Sequence, residues 1–234
     1  MIAAAAIAFC AAGLAVTLRS GSPRPEASSA QSRPRLLLLT SLPILFNEDF
    51  TIDGSGSPAL KVLRASFDVV PISVADGAEL RKGQLLLMAQ PFAQTPENLE
   101  VLDEWVRRGG RVLLLADPLL QWPSKRSLGD LTRPPPMFGD TGLLAHWGLR
   151  LDPPEQLGVV IRQMGKYKIA TLSPGRLSGA CRVRDGGLDA QCRIGQGQAI
   201  VVADADFLNT TVLGRDGQRN LDALLEQLAS LRKS

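Results

Sequence analysis

Three aspartates follow two strongly apolar runs of the chain: Asp117 closes RVLLLAD, and Asp204 and Asp206 follow AIVVA. Ser41 ends a third such run, RLLLLTS, and Gln90 a fourth, QLLLMAQ. If these runs are parallel strands, all five residues stand just outside strand carboxyl ends, which is where open α/β sheets bind ligands. Converging carboxylates suit a hard divalent cation, and a metal-activated water would make the domain a metal-dependent hydrolase. Two other uses of the same residues stay open. Asp117 before Pro118 and Asp206 at the start of a polar segment also fit side-chain turns that end a strand. The group equally fits direct contact with a small polar ligand. The Asp-x-Asp spacing of residues 204–206 resembles phosphotransfer motifs only weakly, because those place it after the first strand with a lysine and further acids downstream.

Nucleophilic catalysis requires a serine or cysteine beside a base. The chain has one histidine, His146, in AHWGL, where it reads as a partly buried structural side chain rather than a general base. No Gly-x-Ser-x-Gly or Gly-x-Cys-x-Gly elbow follows any apolar run, and the glycine pairs match neither a dinucleotide fingerprint nor a P-loop. No cofactor is expected. Cys181 and Cys192 flank a Gly186-Gly187 turn that pairs Asp185 with Leu188 and, counting outward, Cys181 with Cys192. A disulfide between them would place the domain in an oxidising compartment such as the periplasm. Reduced thiols in a cytosolic hairpin, or a register slipped by one residue, are the alternatives.

The elements that must position these residues alternate. Residues 35–41 form a short continuous apolar run, expected as a strand buried on both faces. Residues 57–67 carry Leu60, Val62, Leu63 and Phe67 at helical spacing, and strands are expected at 68–73, 84–89 and 111–118. Between the last two lies a well-signalled helix: Thr95 at the N-cap, Pro96 at the first position, Glu97 and Glu100 at the positive end, Arg107 and Arg108 at the negative end, Gly109-Gly110 at the exit. Its buried stripe is Leu99, Leu102, Trp105 and Val106. Residues 121–140 are Pro-rich and irregular, a lid or partner surface following a strand end. A short helix is expected at 141–147, antiparallel hairpin material over 157–203 ending in a strand at 199–203, and a helix at 219–232 whose leucines face the core. Strands alternating with helices make this an α/β domain with a largely parallel sheet, flanking helices and a C-terminal antiparallel hairpin insertion.

Ahead of the domain, Ile2 to Leu18 is uncharged, with Thr17 as its one hydroxyl, and as a helix it would reach ~26 Å. It is expected as a retained transmembrane anchor; a cleaved signal peptide and a buried helix are the other readings. Residues 19–34, rich in Ser, Pro and Arg, read as a tether, which leaves 35–234 for the fold. Of 26 Lys and Arg and 23 Asp and Glu, Arg19, Arg24, Arg33, Arg35 and Glu26 fall before residue 36, so 22 of each sign remain beyond it. A balanced domain carries no electrostatic footprint for nucleic acid. The membrane, through residues 2–18, is the expected partner, with an inner-membrane single-pass topology. Arginines following the segment favour a cytoplasmic domain, while a Cys181–Cys192 bridge favours a periplasmic one.

LLLMAQP, TPENLEVLDEWVRRGGRVLLLADP and IVVADADFLN together resemble the degenerate glutamine-amidotransferase-like domain of uncharacterised ABC-type transport auxiliary proteins, a group related to gliding-motility transport proteins. The resemblance spans about residues 35–215 and implies a class I amidotransferase-like, flavodoxin-like sheet without the Cys-His-Glu triad. Gln90-Pro91-Phe92 stand where the nucleophile elbow would be, and no His-x-Glu pair lies near the end. It implies a non-catalytic binding or scaffold domain accessory to a transporter, although the chain lacks the second membrane span of the larger transport proteins.

Overall fold

Leu36, Leu37, Leu38 and Leu39 are all buried because their strand lies between two apolar layers. The computed structural model describes residues 33–45, 56–127 and 129–233; the 2–18 segment and nearly all of the tether lie outside the described residues. Among the described residues no helix is long and apolar enough to cross a membrane. In chain order the elements are β1 (Arg35–Thr40), α1 (Pro58–Ser66), β2 (Asp68–Pro71), α2 (Gly77–Leu80), β3 (Leu85–Ala89), α3 (Pro96–Arg107), β4 (Arg111–Leu115), α4 (Leu143–His146), β5 (Leu149–Asp152), β6 (Val159–Met164), β7 (Tyr167–Leu172), β8 (Arg176–Gly179), β9 (Arg182–Arg184), β10 (Asp189–Ile194), β11 (Gly197–Val202) and α5 (Thr210–Lys233).

The main sheet has seven strands in the order β2-β1-β3-β4-β11-β10-β9. The first five run parallel, and β10 and β9 add antiparallel at one edge. Each central strand sends alternate residues to opposite faces. Leu36, Leu38, Leu113, Leu115 and Ile200 pack against Leu60 and Leu63 of α1 and Leu221, Leu224, Leu228 and Leu231 of α5. Leu37, Leu39, Val112, Leu114 and Val201 pack against Leu102 and Val106 of α3 and Leu143 and Leu144 of α4. This burial on both faces is why the runs lack the polar alternation of a half-exposed strand.

The signals around α3 act as read from the sequence: the Thr95 hydroxyl accepts from Asn98 N at 3.3 Å, Pro96 opens the helix and Arg107 lies in its last turn. Gly110 is required because a Cβ there would sit 2.3 Å from the Trp105 ring. Other boundaries differ. β1, β2 and β4 end before Ser41, Ile72 and Ala116, since their hydrogen-bonded ladders stop where loops depart. α5 begins well before residue 219, with a break at Gly214, φ 56°. α2 and β5 carry no separate expectation, being too short for a periodic signal. The antiparallel region is also subdivided: β6 and β7 form one hairpin, while β8 pairs with β5 rather than with its chain neighbours. His146 is exposed rather than partly buried, with its ring at the surface beside α3.

Candidate functional site at the strand ends

Parallel register brings the ends of β3, β4 and β11 level, with Ala89 beside Leu115 and Leu115 beside Val202. The residues that follow therefore converge: Gln90, Asp117, Asp204 and Asp206 form one cluster, each with no solvent exposure. Ser41, half-buried, joins it through its hydroxyl, which donates to the Gln90 carbonyl. Gln90 holds a left-handed backbone, φ 43°, an uncommon conformation for a residue with a side chain. Its amide compensates: Nε2 donates to the carbonyls of Asp117 at 3.2 Å and Pro135 at 3.3 Å, and Oε1 accepts from Asp117 N at 2.9 Å.

The carboxylates are engaged in the same manner. Asp117 Oδ1 accepts from Leu119 N at 2.8 Å, and its Oδ2 from Ala205 N at 2.8 Å and Asp206 N at 3.3 Å, so one side chain ties the β4 exit to the β11 exit. Asp204 accepts from Leu172 N at 3.0 Å and Phe207 N at 2.6 Å, fastening the end of β7. Asp206 Oδ2 accepts from Gln121 N at 2.6 Å, which pins the start of the 121–140 loop. That loop folds back over the cluster through Phe138 N to Asp117 O at 2.6 Å and Leu120 N to Pro136 O at 2.8 Å. Five of the six carboxylate oxygens thus receive backbone N–H groups; Asp206 Oδ1 is buried without a partner.

Packing three carboxyls together out of water disfavours their ionisation. Burial pushes Asp117 up to about 6, against N–H donors from Ala205, Leu119 and Asp206. Asp204 is raised well above the ordinary range by burial and then by the charges of Asp117 and Asp206. Asp206 is pushed up to about 7 by burial and Asp117, with the Gln121 N–H opposing. A cation would have to displace these N–H donors, and among the described residues no group of three or more His, Cys, Asp or Glu is placed to hold a metal ion. The chemistry the cluster performs in this conformation is fastening: it joins three strand exits and a long loop.

Sequence reasoning missed four members of this network. Gln121 donates to the Ser173 hydroxyl, and Ser173, at φ 53°, accepts from Gly158 N at 2.8 Å. Ser173 follows the apolar end of β7 and carried the same strand-end signal as the others. Asn220 lies on the leucine stripe of α5 and bonds Ala170 and Phe207, a polar residue at a core position. Asn209 is buried beside them, its Oδ1 accepting from Val212 N at 3.1 Å.

His146 takes no part in this cluster. It lies 3.3 Å from Asp103 on α3, which also accepts from Arg107 Nε at 2.6 Å and Trp147 Nε1 at 2.9 Å. Burial raises the Asp103 carboxyl, but these donors outweigh it and hold it below the usual range. Cys181 and Cys192 form a disulfide with Cα atoms 4.8 Å apart, in the register that pairs Arg184 with Asp189. The turn between them is a 3₁₀ turn over Asp185–Gly187 rather than a two-residue turn.

A family model described as an ABC-type uncharacterized transport system matches residues 33–178, from β1 to β8, and stops short of the disulfide and of Asp204 and Asp206. Comparison with curated proteins finds no match. Among solved structures the fold is similar to an exo-β-1,4-mannosidase, Op5Man5 from Opitutaceae bacterium strain TAV5, at 14% identity and TM-score 0.52, covering 82% of this chain and 35% of that one. It is also similar to the cytoplasmic protein STM1381 from Salmonella typhimurium LT2, at 11% identity and TM-score 0.51, covering 84% and 99%. A β-galactosidase from Bacillus circulans sp. alkalophilus aligns at 12% identity and TM-score 0.50, covering 86% and 31%. The chain spans about a third of the length of these glycosidases, and at such identities the likeness is one of fold alone.

Proposed function

The chain belongs to the ABC-type uncharacterized transport system family, and from that premise we propose that it is a non-catalytic binding or scaffold component accessory to such a system. In this reading residues 2–18 anchor it in the inner membrane and the domain faces the periplasm. The uncharged run from Ile2 to Leu18 supports the anchor, and the Cys181–Cys192 bridge supports the oxidising side.

One observation carries the non-catalytic reading: the strand-end polar residues are sealed beneath the 121–140 loop and bonded to the chain's own backbone. The cluster serves as a latch that presents the loop as a fixed outer surface, on which Leu131 and Met137 are exposed. A degenerate amidotransferase-like origin is supported by two features. The parallel strands follow the order 2-1-3-4-5 of flavodoxin-like sheets, counting β11 as the fifth. Gln90 also keeps the left-handed backbone that a strand-end nucleophile elbow requires, with an amide where a nucleophile would be.

The test is turnover. The full chain, assayed against ester, amide and phosphoester substrates with and without Mg²⁺ or Mn²⁺, is expected to show none above background. Hydrolysis that disappears in Asp117→Asn or Asp206→Asn would establish the metal-dependent hydrolase instead.

A further inference from the structure

The end of the sheet opposite the aspartates gathers the strand starts and the returning helix ends. Asp68 N bonds Pro34 O at 3.0 Å, Arg111 N bonds Gln84 O at 3.0 Å, Gln196 N bonds Arg107 O at 2.9 Å, and Gln198 Nε2 bonds Leu231 O at 3.3 Å, so these termini form one surface. It is rich in cations. β1 and β4 open on Arg35 and Arg111, β10 contributes Arg193, α3 ends on Arg107 before Arg108, and α5 ends on Arg232 and Lys233. Among the described residues, acids at this end have cation partners: Asp68 pairs with Arg35, Glu79 with Lys82, Asp103 with Arg107 and Glu104 with Arg108. Pro34, Arg35, Gln84, Leu85, Arg111 and Arg232 line a cavity of about 300 Å³, and Arg111 continues into a second of about 160 Å³ beside Arg193.

Helix C-termini favour cations, which accounts for Arg107, Arg108, Arg232 and Lys233. It does not account for Arg111 and Arg193, which stand on strands; Arg35, also on a strand, pairs with Asp68 and donates to the Lys82 carbonyl at 3.1 Å. Because residues 36–234 balance 22 cations against 22 anions, the excess here is segregation of charge rather than overall composition. The chain also enters the described structure on this face: Arg33 Nη1 donates to Arg64 O at 2.7 Å. Upstream of Arg33 the sequence carries Arg24, Arg19 and then the apolar run.

We propose that this strand-start face docks on an anionic bilayer surface, a headgroup phosphate entering the cavity between Arg35, Arg111 and Arg232. Guanidinium forks match phosphate oxygens in pairs, and several arginines near an anionic leaflet add their attractions. Docking would hold the sheet end-on to the membrane and turn the latch and the 121–140 loop away from it. The inference rests on the reading that residues 2–18 hold the chain at a membrane, and the experiment separates the two.

The full chain is floated with vesicles of phosphatidylcholine alone and with about 30% phosphatidylglycerol added. Backbone hydrogen exchange is then followed in peptides covering 33–37, 108–113, 193–198 and 229–233, for the wild type and for Arg193→Glu/Arg232→Glu, whose altered side chains are surface groups. Expected is flotation with both vesicles, and exchange on the face slowed roughly fivefold or more in the anionic ones. The double variant, or added salt, should abolish the slowing. Flotation with both vesicles but equal exchange would overturn the docking face and leave the anchor standing. Binding to anionic vesicles alone, lost in the double variant, would overturn the anchor and support the face. Anionic protection that the double variant retains would assign the attraction to the arginines at 19–33 and overturn the proposal.

Discussion

Replacing Asp206 with asparagine should flatten the pH dependence of stability in a way few buried substitutions would. The unfolded side chain titrates near 3.8, whereas in the fold burial and the Asp117 charge push it up to about 7. Between those values the native state keeps a proton that the unfolded chain has released. Stability therefore falls as pH rises from about 4 to about 7 and is level for this group on either side. The interval corresponds to at most ~4 kcal/mol. Relaxation around the carboxylate and its coupling to Asp117 reduce the expectation to ~2 kcal/mol or somewhat more. Asparagine keeps an oxygen for Gln121 N and places its NH₂ where Oδ1 already lacks a partner, a cost that is the same at every pH. Urea unfolding of both proteins between about pH 4.5 and about pH 8 gives the comparison. Asp206→Asn should lie at or below the wild type at the acid end and gain on it by ~2 kcal/mol at the alkaline end. Asp103, Asp130 and Glu97, with lowered values, act in the opposite sense but below this range. Parallel pH profiles for the two proteins would refute the reasoning, as would a wild type whose stability rises across the interval.

Replacing both Cys181 and Cys192 with alanine opens a bridge between residues 11 apart in sequence and should cost about 3 kcal/mol, read as a lower denaturation midpoint that reductant reproduces in the wild type. Gln90→Ala removes the bonds to Pro135 and Asp117 and should destabilise by ~2 kcal/mol while speeding proteolytic cleavage within 121–140. Gln90→Gly should be less damaging than Gln90→Ala by ~1 kcal/mol, because glycine adopts φ 43° without strain. Leu113→Ala, at the centre of the sheet, should lose 2 to 5 kcal/mol, about the range for a buried leucine. A C-terminal alkaline-phosphatase fusion to the full chain should be active in cells; an inactive fusion would place the domain in the cytoplasm.

What the sequence disclosed follows from how burial writes itself into composition. Runs such as LLLL at 36–39 and VLLL at 112–115 have no polar face to show, so they announce strands covered on both sides. Caps such as Thr95 and Pro96 act locally and read reliably. Strand ends are legible for the same reason, and this is how Gln90, Asp117, Asp204 and Asp206 could be grouped before their positions were known. Their use was not legible. Whether Asp206 faces a ligand or a backbone N–H depends on where the 121–140 loop folds, and a Pro-rich irregular segment carries no periodicity to say so. The β5–β8 pair escaped for a related reason: its partners are separated by the β6–β7 hairpin, and four-residue strands leave no pattern of their own. The charge segregation at the strand starts was hidden as well, since Arg35, Arg111, Arg193 and Arg232 are far apart in sequence and meet only through topology.

The accessory role is tested most directly by purifying the full chain from native membranes in mild detergent and identifying what accompanies it. An ATPase and a membrane permease are expected in fixed stoichiometry with the chain. A chain that purifies alone, with neither subunit present at any detergent tested, would contradict that role.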